Sequence, residues 1–189
     1  MSRVINRVIR QAAESLGSSL DQFYPSYGRN GLNERNLTYQ MAKAFESRSD
    51  AYAFMEVPFL NTATGRYDYR IDCMLFDKDR VVFVECKRLY KPEKAQQLIV
   101  DLQRMNAENL APVLEKFTAE KPRSRSVYRM ILAETWQKPI TEWWKGSNSG
   151  RTWDGSWLPE DRGVIEVKTF DNGKTLYWLY AYEPLLFSN

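Results

Sequence analysis

The stretch from Tyr67 to Lys87 constrains this chain more than any other. It reads as two alternating runs, 67–76 and 80–87, on either side of Asp77-Lys78-Asp79-Arg80. Such runs around a polar turn form an antiparallel hairpin. A symmetric turn centred on Lys78 and Asp79 pairs residues whose numbers sum to 157. One face then sets Ile71, Cys73 and Leu75 against Cys86, Val84 and Val82, all apolar. The other sets Phe76 against Val81 and Met74 against Phe83, then Asp72 against Glu85 and Arg70 against Lys87. A slip of one residue would turn the apolar set out to water, so the alternation specifies the register.

The second face changes from apolar to charged part-way along. Asp72 and Glu85 meet as like charges directly across a strand pair, which is ordinarily destabilising. A divalent cation between them converts that repulsion into binding. Mg²⁺ is commonly held by one or two carboxylates completed by water and phosphate oxygens. Lys87 lies one pleat further on, where an ammonium can orient an attacking water or offset charge developing on phosphorus. The same four charges could instead form an ion-pair lattice on a solvated sheet face, which contributes little to stability. Histidine is absent from all 189 residues. That excludes the Ser-His-Asp triad, the Cys-His dyad and the HExxH zinc site. Hydrolysis is left to carboxylates, lysine and a hard metal ion.

The flanking segments supply the rest of an α/β domain. Val4, Ile5, Val8, Ile9 and Ala12 predict an amphipathic helix over 3–16, stopped by Gly17. A loop over 18–32 leads to a second helix, capped by Asn33, with Glu34 in its first turn. Residues 52–60 read as a strand, with Pro58 implying an edge or an end there. Pro92 opens a helix running to Leu110, with Ala95, Leu98, Leu102 and Met105 as its apolar stripe. Residues 127–134 form a fourth strand. After Thr135 the chain becomes rich in tryptophan, and strands over 163–170 and 174–183 flank Asp171-Asn172-Gly173. The order helix, three strands, helix, strand gives an α/β domain with a mixed sheet. Residues 1–135 form the core with its N-terminal helix, and 136–189 an extension packed on the same domain.

Asp72, followed by Glu85-Cys86-Lys87 at the end of an apolar strand, resembles the PD-(D/E)XK nuclease superfamily. Residues 33–134 are similar to that family's αβββαβ core, the restriction-endonuclease-like fold. The resemblance implies that Asp72, Glu85 and the Cys86 carbonyl hold Mg²⁺, with Mn²⁺ able to substitute, and that Lys87 is the catalytic lysine. Glu34 falls where some members carry a helix glutamate, and Gln96 or Gln97 where some carry a helix glutamine. Ile71 stands where the family motif has proline. The glutamine-plus-tyrosine signature of the RecB-like branch is absent, since 100 is valine and 101 is aspartate. The implied activity is hydrolysis of phosphodiester bonds in nucleic acid, DNA before RNA and internal before terminal. A homodimer would place two symmetric sites on a duplex. The chain could also work with a separate recognition or ATPase subunit.

The remaining features bear on partners. Net charge is 27 − 24 = +3, which permits nucleic acid without demanding it. Arg88 and Lys91 directly follow the motif strand and are the leading phosphate contacts, ahead of Arg29, Lys121 and Arg123. Glu56 sits on the first strand and could join the site, with a solvated strand position as the leading reading. The tryptophans, among them Trp136, Trp143, Trp144, Trp153 and Trp157, can stack on bases, but packing over the sheet is the leading reading. Cys73 and Cys86 read as small buried hydrophobes. No apolar run reaches the roughly 20 residues of a membrane span, and no signal sequence is visible, so a reducing cytoplasm is expected. The alternative to an enzyme is a non-catalytic module that binds nucleic acid or protein on the same fold.

Overall fold

The computed structural model describes residues 2–23, 34–118, 125–147 and 154–187. The predicted positions Asn33, Arg29, Lys121, Arg123 and Trp153 lie outside them. The elements are α1 (Ser2–Phe23), α2 (Arg35–Glu46), β1 (Tyr52–Asn61), β2 (Arg66–Phe76), β3 (Arg80–Arg88), α3 (Pro92–Arg104), α4 (Ala107–Thr118), β4 (Ser126–Thr135), α5 (Lys138–Trp144), β5 (Asp161–Thr169) and β6 (Thr175–Pro184). One six-stranded sheet has the order β1-β2-β3-β4-β6-β5. Only β3 and β4 run parallel, and the other neighbours are antiparallel. The mixed α/β architecture is therefore as expected.

The sheet is the middle of three layers. Ile9, Leu16, Leu37, Met41 and Phe45 of α1 and α2 bury against Cys73, Leu75, Val82, Val84, Cys86 and Leu132 on one face. Leu98 and Leu102 of α3, Val113 of α4 and Trp144 of α5 bury against Met74, Val81, Phe83 and Ile131 on the other. Strands β3 and β4, covered on both faces, are almost continuously apolar, as central strands of such sandwiches are. The tryptophan-rich segment packs as the leading reading expected. Trp144 is fully buried and donates to the Tyr180 carbonyl at 3.0 Å, and Trp136 lies 5.3 Å from the Phe170 ring. Its strands β5 and β6 extend the same sheet.

The hairpin turn has the predicted centre. Asp77 Oδ1 accepts the N–H groups of Asp79 and Arg80, each at 2.9 Å, and Asp77 Oδ2 pairs with Arg48 at 2.9 Å. The pairs Cys73–Val84, Met74–Phe83, Leu75–Val82 and Phe76–Val81 follow the expected register. Beyond Cys73 the reading needs a correction. Ile71 does not share a face with Cys73 and Cys86. It packs with Met74 and Phe83 on the α3 side, as do Val57 and Phe59 of β1. The alternation of both strands reverses between the pairs Met55–Cys73 and Val57–Ile71. Glu56 stands at that break with φ +53, a left-handed conformation unusual for a residue with a side chain.

Three further differences have tertiary causes. α1 passes through Gly17 because the helix crosses β5 there. A Cβ at Gly17 would lie 2.5 Å from the Val167 carbonyl oxygen. The single helix expected over 92–110 is two. Arg129 reaches from β4 to the carbonyls of Leu102 and Met105, at 2.7 and 3.2 Å, and so ends α3. Asn106 then caps α4 by accepting the Asn109 N–H at 2.9 Å. The short helix α5 was not expected, because its seven residues carry too little pattern.

Gly17→Ala tests the crossing. At an open helical site this change stabilises by about 1 kcal/mol. Here it is expected to destabilise by about 1–3 kcal/mol, the usual range for overpacking, as read by urea denaturation. A variant as stable as the parent would remove the close approach as the reason for glycine.

Candidate functional site

The site lies where β2 and β3 part. Cys73–Val84 is the last pair of their ladder on this side. Past it, two carboxylates replace the strand-to-strand bonds. Asp72 Oδ2 accepts the Cys86 N–H at 2.7 Å, and Glu85 Oε2 accepts the Asp72 N–H at 3.3 Å. Each acid is thus latched to the backbone of the opposite strand. An extended residue presents its N–H and C=O to the same edge, so the Cys86 carbonyl also faces β2.

The reversal in β1 and β2 sends the charged groups to two sides. A cleft of about 790 Å³ opens on the α2 side at the carboxyl end of β3. Its acidic lining is Glu34, Glu56 and Asp72, and its basic lining is Arg35, Arg88, Lys91 and Lys94. On the α3 side Lys87 Nζ stands 3.5 Å from Glu85 Oε1 and 3.1 Å from Asp101 Oδ2. Asp72 joins the halves, since its side chain lines the cleft while its N–H meets Glu85.

The structure therefore brings Glu34, Asp72, Arg88 and Lys91 into one cleft and leaves Glu85 and Lys87 outside its lining, on the α3 side. It does not bring Gln96 in. That side chain is exposed and outside the cleft, and Gln97 accepts from Lys94 at 3.0 Å. Both belong to the solvated side of α3. Arg88 is anchored rather than extended, with Nε 2.8 Å from Glu134 and its guanidinium 3.1 Å from the Tyr90 hydroxyl. The solvated lattice expected from the competing reading does not form as drawn. Arg70 donates to the Glu56 carbonyl at 3.1 Å, while Glu85 is only 8% exposed. The Cys73 and Cys86 side chains are buried, and burial pushes both thiols up.

Electrostatics follow from this burial. Glu85 is pushed up to about 8, first by burial and then by the Asp72 charge. Burial also raises Asp72, against the opposing pull of the Cys86 N–H and the Lys87 charge. Burial disfavours the Lys87 ammonium, but Glu85 and Asp101 more than offset it and its pKa is raised. Glu134 is raised to about 7 by burial, with Arg88 opposing.

Asp101 and Glu134 were missed as site residues. Asp101 had a signal. It falls in the apolar stripe of α3 between Leu98 and Leu102, where a carboxylate needs a buried cation. Glu134 ends an apolar strand and offered no comparable clue.

The residues fit a hard divalent cation by donor chemistry. Asp72 and Glu85 are oxygen donors joined by one backbone link, and Glu85 and Asp101 flank a single ammonium. Among the described residues no group of three acidic or thiol side chains converges on one point. Two carboxylates with water and phosphate completing the shell is the usual arrangement for Mg²⁺. No protein-family model, no curated protein and no solved structure matches this chain. Among the described residues no helix is long and apolar enough to cross a membrane.

The raised carboxylates set a pH dependence. The folded chain keeps protons on Glu85 and Glu134 that an unfolded chain releases near pH 4.3. Their contribution is full below that pH and is lost as pH rises towards about 8 and 7 respectively. In chelator, the melting temperature is expected to fall between pH 6 and 8.5, and Glu85→Gln to flatten most of that slope. A melting temperature that holds steady or rises over this interval would contradict the assigned burial.

Proposed function

We propose that this chain is a divalent-metal-dependent phosphodiesterase acting on nucleic acid, with a restriction-endonuclease-like core. The observation that carries the reading is the half-buried Asp72 and buried Glu85 at the parted ladder, with the Lys87 ammonium 3.5 Å from Glu85. The preference for DNA and for internal cleavage rests on the PD-(D/E)XK resemblance, as do a homodimer and any recognition or ATPase partner.

Each group has a role. Asp72 and Glu85, with the Cys86 carbonyl, would hold Mg²⁺ or Mn²⁺. When bound, the ion supplies Lewis-acid polarisation of a phosphoryl oxygen and a more acidic water. Lys87 offers an ammonium that can orient the attacking water or offset charge on phosphorus. Arg35, Arg88, Lys91 and Lys94 form a basic wall for the phosphate backbone. Glu34 and Glu56 stand opposite and repel it, which confines the backbone to that wall. Expulsion of the bridging oxygen completes an in-line displacement.

The test is cleavage of supercoiled, linear and single-stranded DNA in Mg²⁺ or Mn²⁺, against EDTA. Asp72→Ala is expected to abolish cutting, and Lys87→Ala to slow it by about 10²–10³-fold, the usual loss for one charge-stabilising donor. Folded wild-type chain that neither cuts nor gains thermal stability from the metal would favour the non-catalytic module. Cutting that survives both substitutions would place the chemistry elsewhere.

A further inference from the structure

We infer that Asp101 is a positioning residue for Lys87, a role that rests on the nuclease reading and deepens it. Asp101 lies on α3 and is 8% exposed, within an apolar stripe whose members Leu98, Leu102 and Met105 bury against the sheet. A carboxylate there is costly unless paired. Its two oxygens serve two cations. Oδ2 meets Lys87 Nζ at 3.1 Å, and Oδ1 meets the Arg104 guanidinium at 3.3 Å. Arg104 is itself seated 5.0 Å from the Tyr69 ring centroid, so the carboxylate is oriented from its outer side.

The consequence concerns Glu85. Lys87 is nearer to Asp101 than to Glu85, by 3.1 against 3.5 Å. Removing the last partner of a buried charge is strongly destabilising. Without Asp101, Glu85 would be the carboxylate left to neutralise the ammonium and would stay bound to it. With Asp101 in place, Glu85 can turn to a cation shared with Asp72 while Lys87 stays paired. A cavity of about 20 Å³, room for one water, is lined by Glu85, Asp101 and Arg104. Asp101 thus acts through Lys87 and never touches the nucleic acid.

The experiment compares wild type, Asp101→Asn and Asp101→Glu as full-length chains. Metal-free protein labelled with ¹⁵N-lysine is observed by NMR, with the Lys87 ammonium assigned by its loss in Lys87→Met. Cleavage of supercoiled DNA in Mn²⁺ supplies kcat and KM. The expected result is a slowly exchanging Lys87 ammonium in wild type whose ¹⁵N shift moves in Asp101→Asn, where Glu85 alone holds it. The same variant should lose about 10–100-fold in kcat, as removal of an outer partner does at metal sites, with KM unchanged. Asp101→Glu should retain most of both signals. A Lys87 ammonium whose shift is unchanged in Asp101→Asn, or a kcat equal to wild type, overturns the role and leaves the nuclease reading intact. A loss confined to KM or to melting temperature reduces Asp101 to a helix-to-sheet tie and overturns it too. A wild type that fails to cleave removes the nuclease reading, and the positioning role with it.

Discussion

The end of the β2–β3 ladder at Cys73–Val84 governs the rest of the site. Buried backbone N–H groups must be paired, and where two strands part they need another acceptor. Here the acceptors are the carboxylates of Asp72 and Glu85, each reaching across to the other strand. The same two bonds hold the strands at the gap and draw two acids into a place where water cannot fully solvate them. Lys87 and Asp101 are the electrostatic answer from β3 and α3.

The surrounding fold makes that opening possible. A continuous sheet would have no room for a cleft, because ladder pairing and alternation leave no gap between neighbouring strands. Reversal of the alternation in β1 and β2, with Glu56 at φ +53, breaks this regularity on one side. Strained non-glycine backbone of this kind costs about 1–3 kcal/mol and persists only where its surroundings hold it. Two buried clusters provide that support, and the Asp77 network closes the far end of the hairpin. The rigid end of β3 carries the turn, and its open end carries the charges.

Much of this was legible because strand alternation has a short period. Four hairpin pairs, the apolar face of Cys73, Leu75, Val82 and Val84, and the acids at the charged end all follow from a period of two. The face of Ile71 was not legible, since nothing in a run of alternating residues marks where its phase will reverse. Gly17 read as a stop because glycine is a poor helix former, yet its missing Cβ serves a crossing with β5 that only the folded chain contains. The break after Arg104 was hidden for a similar reason, because Arg129 of β4 ends the helix from a distant part of the chain. Gln96 misled because residue type and spacing say nothing about which side of α3 faces the site.

The sequence by itself determined the chemistry open to this protein. Without histidine it excluded sites built on imidazole, and it set two acids and a lysine at the charged end of one hairpin. It also determined the hairpin register, because local alternation and turn chemistry act over neighbouring residues. The tertiary structure alone decided which charges meet. It parted Asp72 and Glu85 to two sides of a gap, turned the motif lysine towards Asp101, and set Arg88 on Glu134. These contacts join separate elements, and they depend on how helices settle on a twisted sheet, which no local pattern encodes.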